Sequence, residues 1–174
     1  LGACACCSLA ADYLREEDLI VAYRSAIDGV GRHMQLLTLE NVNNQITGAY
    51  YGSMHKEQKW EASFCPLSTN DISRGNDNQR WLVFETESRI MGLDLTTQDK
   101  ASPIGEPFIE TRQKNPALAI NKNGERLVAW GEAISHARGG RLNMRLFNIE
   151  GHNTDYEMIQ AINIPDYSFP AVAV

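Results

Sequence analysis

Four cysteines are the residues of this chain whose type and spacing most directly suggest chemistry. Three lie close together, at Cys4, Cys6 and Cys7, and the fourth is Cys65. In an oxidising compartment such residues form disulfides, whereas in the cytosol a cluster of this kind indicates metal or redox chemistry. The tight spacing does not match a zinc ribbon, and two adjacent cysteines ligate one ion poorly. We therefore expect disulfides and neither metal nor cofactor. A Cu(I) or Zn(II) thiolate site and free or redox-active thiols remain the alternatives.

The segment that follows the first cysteines recurs along the chain and predicts the architecture. Leu9, Leu67, Leu118 and Val172 occupy equivalent places in four similar segments, at intervals of roughly 50 to 60 residues. A near-regular period of that size is typical of propellers and solenoids. Each repeat contains short strands separated by turn residues, and four strands per period match a propeller blade. The sequence thus predicts an all-β fold, a β-propeller of four-stranded antiparallel blades within a ring of about six.

The period divides the chain into about three blades plus one further strand. Blade one covers about 1–58, blade two about 59–112 and blade three about 113–166, and 167–174 begins the next blade. Three blades and one strand cannot close a ring, so we expect a part of a longer protein, with several copies completing the ring as the alternative. The predicted strands are 8–12, 19–24, 33–39, 49–54, 66–71, 80–86, 90–95, 108–111, 115–120, 126–130, 142–149, 158–164 and 171–174.

The repeat also predicts how the cysteines pair. Cys65 precedes the first strand of blade two, as the cysteine cluster precedes the first strand of blade one. We expect a bridge between neighbouring blades, which requires that the two Cα atoms lie within about 7 Å of each other. A second bridge would close inside the cluster, either from Cys4 to Cys6 or Cys7, or between the adjacent Cys6 and Cys7.

The composition excludes some classes of partner. A net charge of −6 over 174 residues disfavours nucleic acid, because phosphate binding needs clustered Lys and Arg. No apolar run reaches the roughly eighteen residues that span a bilayer. The chain is rich in Asn, Thr, Ser and Gln and has few lysines, which together with the cysteines predicts a periplasmic or extracellular protein.

Blade topology predicts which polar side chains meet. The segment before the first strand and the loop between the second and third strands open at the same end of a blade. Polar groups that converge on a concave rim form the default ligand site of such a fold. We expect a small-molecule, glycan or protein ligand at this rim, bound by residues of these segments: Trp60, Arg24, Arg32, Glu87, Arg89 and His136.

A succession of short motifs, at 4–7, 21–24, 32–34, 60–66, 84–87 and 128–130, extends over most of the chain. In this order they resemble a group of bacterial exported β-propellers identified as sialidase-like or exo-α-sialidase-like. The resemblance implies hydrolysis of acidic sugars as an alternative function. A sialidase binds the substrate carboxylate with three arginines and uses a Tyr nucleophile with a Glu partner and an Asp acid. The candidates for these roles, apart from the nucleophile, are Arg24, Arg32 and Arg141 for the carboxylate, Glu85 or Glu132 as partner, and Asp28 as acid.

Two features of that family are absent from this sequence, namely the Arg-Ile-Pro segment and the Ser-x-Asp-x-Gly-x-x-Trp turns. Our first interpretation is therefore an exported propeller module that binds a ligand or partner at its rim. Sialidase-type hydrolysis is the second interpretation. A purely structural subunit of a larger extracellular assembly is the third.

Overall fold

The computed structural model of the chain describes residues 2–43, 48–51, 59–97, 100–105, 111–135, 137–154 and 162–174. Within these residues the chain is all-β, and twelve strands form three antiparallel sheets of four strands each. Each sheet is a meander in which strands that follow one another in sequence are paired. The predicted all-β class and the four-stranded antiparallel sheets are confirmed.

The three sheets follow one another along the chain, and their strands have the following bounds. The first sheet contains β1 (Ala10–Tyr13), β2 (Leu19–Arg24), β3 (Met34–Glu40) and β4 (Gly48–Tyr51). The second contains β5 (Asn70–Arg74), β6 (Arg80–Thr86), β7 (Arg89–Asp94) and β8 (Ser102–Pro103). The third contains β9 (Gln113–Ile120), β10 (Arg126–Glu132), β11 (Gly140–Phe147) and β12 (Ile162–Ile164).

The central strands lie where the sequence predicts them, whereas one inner strand and two outer segments differ. The inner strand is β5, predicted at 66–71 and observed at Asn70–Arg74. The fourth strand of the second sheet is β8, which pairs with β7 through two residues only. The sequence favoured 108–111 for this strand, but 106–110 lie outside the described residues. The segment 165–174, expected to contain a strand at 171–174, forms none. The described part of the chain therefore holds three complete sheets that do not close into a ring.

Alternation along β6 explains why the second sheet lies between the other two. Leu82 and Phe84 point to one face and pack with Ala22 and Met34 of the first sheet. Val83 points to the opposite face and packs with the third sheet, against Leu118, Val128 and Trp130. Successive strand side chains alternate between faces, so a strand that is apolar at every position has both faces buried. Each such side chain contributes about 1.5–3 kcal/mol of transfer free energy.

Polar side chains hold the first strands of the three sheets side by side. The Asn70 amide nitrogen donates to the Ser8 carbonyl at 2.8 Å, which joins β5 to the segment before β1. The Asp71 carboxylate accepts the Leu118 backbone N–H at 2.9 Å, which joins β5 to β9. Both groups replace water with a partner in the neighbouring sheet, so burial leaves these donors and acceptors satisfied.

The described residues include no helix of the length and apolar character that a membrane span requires. A 3-10 turn at Asn76–Asn78 connects β5 to β6.

Candidate functional site at the cysteine cluster

All four cysteine sulfurs converge at one end of the first and second sheets, where their Sγ atoms lie within 4.8 Å of one another. Cys6 and Cys65 form a disulfide that joins the two sheets. Cys4 and Cys7 have free thiols, and their sulfurs are 3.3 Å apart. The expected bridge between neighbouring sheets is thus present, and the second bridge, expected within the cluster, is not formed.

Backbone hydrogen bonds fix the cysteine segment against the end of β2 and the start of the second sheet. The Cys4 N–H donates to the Arg24 carbonyl at 2.8 Å, and the Cys7 N–H donates to the Cys4 carbonyl at 3.2 Å, closing a turn. The Ser8 N–H then donates to the Ser68 carbonyl at 3.2 Å. These bonds place three sulfurs from one short segment beside the fourth from 59 residues further along.

Arg24 lies directly behind the sulfurs and is only 1% exposed. Its guanidinium donates to the Arg32 carbonyl at 2.9 Å, to the Ser68 hydroxyl at 3.1 Å and to the Glu85 carbonyl. The Arg24 Nε has no hydrogen-bond partner among the residues that the structure describes. Burial lowers the pKa of Arg24 to about 10, although the charges of Glu85 and of the nearby thiols oppose this shift. A buried cation thus adjoins the thiols without a carboxylate hydrogen-bonded to it.

A buried ion pair forms the next layer of the site, between the second and third sheets. Lys114 Nζ lies 3.4 Å from Glu85 Oε2, and both side chains are almost fully buried. The same ammonium donates to the Pro66 carbonyl, one residue beyond Cys65. Burial raises the pKa of Glu85, while the charges of Lys114 and Arg24 oppose the rise. The Cys65–Pro66 loop is therefore tied to the cysteine cluster on one side and to this ion pair on the other.

A cavity of about 450 Å³ opens beside this loop, between the second and third sheets. Arg112 and Lys114 contribute the positive charges of its wall, and Ser135 contributes a hydroxyl. Phe64, which is half-exposed, lines it with apolar surface. The cavity thus combines cationic, hydroxyl and aromatic groups, a combination suited to a small polar molecule that carries negative charge.

The rim residues Arg32 and Trp60 are held by the protein itself. Arg32 donates from Nη2 to the Gly29 carbonyl at 2.9 Å and from Nε to the Phe64 carbonyl at 3.3 Å. Trp60 is buried, with the Arg24 guanidinium over its ring at 5.2 Å and the Phe64 ring edge-on at 6.3 Å. Its indole therefore packs inside the site and does not form an exposed stacking platform.

Glu132 lies in the third sheet, apart from the sulfurs. Its Oε1 accepts hydrogen bonds at 3.2 Å from Gln113 Nε2 and from Trp130 Nε1. Arg141 lies opposite it in the β10–β11 ladder. This pairing places Glu132 and Arg141 in the third sheet, while Arg24 lies between the first and second sheets.

The remaining predicted site residues lie in turns near this end. Asp28 and Glu87 are exposed residues with φ of 49° and 52°, in the turns that follow β2 and β6. Arg89 begins β7. His136 lies outside the described residues. The structure therefore brings Arg24, Arg32, Trp60, Glu85 and the cysteines together, whereas Asp28 and Glu87 lie on turns and Arg89 lies at the start of β7.

Sequence reasoning overlooked Lys114 and Arg112, and it kept free thiols, which Cys4 and Cys7 have, only as an alternative. These two thiols had a visible signal, because Cys4-Ala5-Cys6-Cys7 contains a Cys-x-x-Cys spacing, which is typical of thiol redox and metal chemistry. Burial raises the pKa of the Cys7 thiol, although a backbone hydrogen bond from Ser68 opposes the rise. Lys114 had no local signal, since only the neighbouring sheet makes its position interior.

No protein-family model matches the chain, and no curated protein matches it either. The chemistry of the site therefore follows from its own geometry.

Proposed function

We propose that the three sheets are successive blades of a β-propeller. The proposal is supported by three antiparallel meanders that stack face to face, by their neighbouring first strands, and by the repeat in the sequence. The outer face of the third sheet carries half-buried Leu142 and Met144, the kind of apolar surface that packs on a further sheet. An experimental structure in which β1, β5 and β9 do not surround a common axis would contradict the propeller.

The function proposed for this module is to bind a small molecule with a carboxylate group in the cavity beside the Cys65–Pro66 loop. The observation that carries this proposal is the placement of Arg112 and Lys114 in one wall of that cavity. Glu85 balances the charge of Lys114, so exposed Arg112 supplies the net positive charge. Its planar guanidinium binds a carboxylate through two parallel hydrogen bonds.

An acidic sugar is the ligand class that best fits the other groups of the wall. Ser135 can hydrogen-bond a sugar hydroxyl, and the Phe64 ring offers an apolar surface to a sugar face. A volume of about 450 Å³ is in the range of small-ligand sites. The motifs that resemble sialidase-like propellers favour the same ligand class.

Binding of free sialic acid, glucuronate and neutral glucose, measured by calorimetry or by NMR titration, tests this function. We expect the two acids to bind and glucose not to bind. The Arg112→Ala variant should lose at least about tenfold in affinity, since a charge-assisted bidentate contact is worth roughly 1.5–3 kcal/mol. Arg15→Ala removes the same charge from an exposed side chain and serves as the matched control. Equal binding of acids and glucose, or equal effects of the two variants, would contradict the proposal.

The hydrolase alternative requires more than binding. Both terminal nitrogens of Arg24, and the Nε and Nη2 of Arg32, already donate to protein oxygens, so a bidentate contact with a substrate carboxylate would require these residues to exchange partners. A fluorogenic sialoside separates the alternatives: cleavage that Arg112→Ala abolishes would make the cavity a catalytic site, and binding without cleavage supports the binding module.

We also propose a periplasmic or extracellular location. The Cys6–Cys65 disulfide supports it, because structural disulfides persist in oxidising compartments. To test this location, the protein is recovered from each cellular fraction with rapid acid quenching, and its free thiols are counted.

A further inference from the structure

The free thiols and the disulfide belong to one cluster of sulfurs, and that cluster suggests a function separate from the anion cavity. Cys4 Sγ lies 3.3 Å from Cys7 Sγ, 3.5 Å from Cys6 Sγ and 3.6 Å from Cys65 Sγ. We propose that, when the Cys6–Cys65 bridge is reduced, the four cysteines bind one thiophilic d¹⁰ cation, Zn(II) or Cu(I).

The distances around Cys4 match those between ligands of a single ion. A zinc–sulfur bond of about 2.3 Å places the sulfurs of a regular tetrahedron about 3.8 Å apart. The three distances from Cys4 Sγ are within about half an ångström of that value. The sequence argument against a metal was the adjacency of Cys6 and Cys7, yet the backbone turn brings both sulfurs into the same 4.8 Å cluster.

Only the pair of Cys6 and Cys65 must separate for the cation to enter. Their Cα atoms are 7.1 Å apart, slightly wider than the usual disulfide range of about 4.4–6.8 Å. Their backbones are therefore already spaced for two separate thiolates that share an ion. Both residues are also less buried than Cys4, which gives a reductant and a cation access from solvent.

The reaction balances with a dithiol as the reductant. One thiolate of the dithiol attacks a sulfur of the Cys6–Cys65 bond, and its second thiol resolves the mixed disulfide. The dithiol becomes a disulfide, and both cysteines become thiols after gaining two electrons and two protons. The cation then replaces the protons of the four thiols, and these protons pass to solvent.

The surroundings of the cluster favour the charge of such a complex. Four thiolates exceed the charge of either cation, so the loaded site is an anion. Arg24 is buried beside Cys4 and Cys7 and has no carboxylate hydrogen-bonded to its guanidinium. Lys114 lies beyond, bound to the carbonyl that follows Cys65. Arg24 offsets part of the negative charge, and thiolate sites prefer soft d¹⁰ ions to Mg²⁺ or Ca²⁺.

The test begins with the whole protein reduced by a phosphine under anaerobic conditions, after which Co(II), Zn(II) or Cu(I) is added alone. We expect one equivalent of Co(II) to give the intense absorption of a tetrahedral thiolate complex. One equivalent of Zn(II) or Cu(I) should abolish that absorption, and the more effective competitor identifies the preferred ion. Magnesium at the same concentration should have no effect.

Variants identify the ligands without depending on activity. Cys7→Ser retains the Cys6–Cys65 bridge, so its fold can be checked by circular dichroism in the oxidised state before reduction. It should weaken cation binding by at least about 100-fold, a loss as large as the outer-shell effects known for metal sites. His152→Ala, which removes an exposed imidazole elsewhere, should leave the affinity unchanged.

Three results would overturn the proposal. The first is that wild-type protein, with all four thiols counted as reduced, binds no stoichiometric cation. The second is an unchanged affinity in Cys7→Ser, and the third is a Cys6–Cys65 bridge that can be reduced only when the protein unfolds. None of these results affects acid-sugar binding, which depends on Arg112.

Discussion

Two buried arginines connect the first and second sheets at opposite ends, and they are held in different ways. Arg80 donates from Nε to the Asp12 carboxylate at 2.9 Å, and its other nitrogens donate to the carbonyls of Asn78, Tyr13 and Leu14. Arg24, at the cysteine end, bonds to neutral oxygens, and its Nε has no partner within the described part of the chain. The first arginine has a carboxylate within hydrogen-bond distance, whereas the second adjoins thiols.

The difference separates a structural end of the interface from a reactive one. A buried cation that is hydrogen-bonded to a carboxylate, and whose other N–H groups have acceptors, has both its charge and its donors satisfied. The Arg24 cation is stabilised by the charge of Glu85, and it is stabilised further whenever the Cys4 and Cys7 thiols lose their protons. The proposed cation site makes the Arg24 end sensitive to redox state and to cations, while at the Arg80 end the two sheets are joined by a carboxylate and carbonyls that accept hydrogen bonds from Arg80.

The largest expected effect is the loss of the Arg80 arrangement. Arg80→Met leaves the half-buried Asp12 carboxylate and three carbonyls without a donor, and we expect it to lower the free energy of unfolding by about 3–5 kcal/mol. Arg24→Met removes hydrogen bonds to neutral oxygens and leaves Lys114 paired with Glu85, so it should cost about 1–3 kcal/mol. Urea denaturation at neutral pH measures both, and equal costs would remove the distinction between the two ends.

The second effect concerns the sulfur cluster itself. Replacing Cys6 and Cys65 by alanine should lower the free energy of unfolding by about 2–4 kcal/mol, because the bridge closes a long loop in the unfolded chain. Cys7→Ala removes one half-buried free thiol and should cost less than about 1 kcal/mol. Denaturation under oxidising conditions tests this order. A larger cost for Cys7→Ala would indicate that the free thiol, rather than the bridge, stabilises this end.

The third effect extends the comparison to the interface between the second and third sheets. Burial raises the pKa of Asp71, so the folded chain keeps this proton at pH values where the unfolded chain has lost it. The free energy of unfolding should therefore fall as pH increases from the ordinary carboxyl value through the raised one, by at most about 1.4 kcal/mol per pH unit.

Asp71→Asn is the matched variant for this effect, because an amide oxygen can still accept the Leu118 N–H but does not titrate. The free energy of unfolding of this variant is measured over the same pH range and subtracted from that of wild type. The difference should show the decrease that the Asp71 proton causes. Parallel profiles would show that Asp71 does not contribute to the pH dependence.

The smallest effect provides the baseline for the comparison. Arg15 has a side chain that is 85% exposed and lies 3.9 Å from Asp18. Arg15→Ala should change the free energy of unfolding by less than about 0.5 kcal/mol, because exposed ion pairs are screened by solvent. Thermal unfolding measures this change. If Arg15→Ala lowered the free energy of unfolding as much as Arg80→Met, burial would not explain why the arginines differ in their contribution to stability.

The sequence predicted the central strands because their patterns are determined locally. β2 and β6 are apolar on both faces, a pattern that requires a layer on each side. Asn121 and Gly124 form the turn between β9 and β10, where Gly124 has a φ of 80°. The convergence of the cysteines followed from their equivalent positions before two first strands.

The remaining features depend on packing that no local pattern records. Trp60 stands in a polar stretch of sequence, yet Arg24 and Phe64 bury its ring. Lys114 is interior only because Glu85 of the neighbouring sheet faces it. Cys65 pairs with Cys6 and not with Cys4 or Cys7, a choice that their spacing in sequence does not determine.

The disulfide joins Cys6 to Cys65, which are 59 residues apart in sequence. It therefore keeps the first two sheets covalently linked even when the backbone between these two cysteines is cut. A protease cut after exposed Lys59 would leave two pieces that migrate as one band on a gel until a reducing agent is added. Electrophoresis of nicked protein thus reports whether Cys6 and Cys65 are oxidised, without labels or spectroscopy.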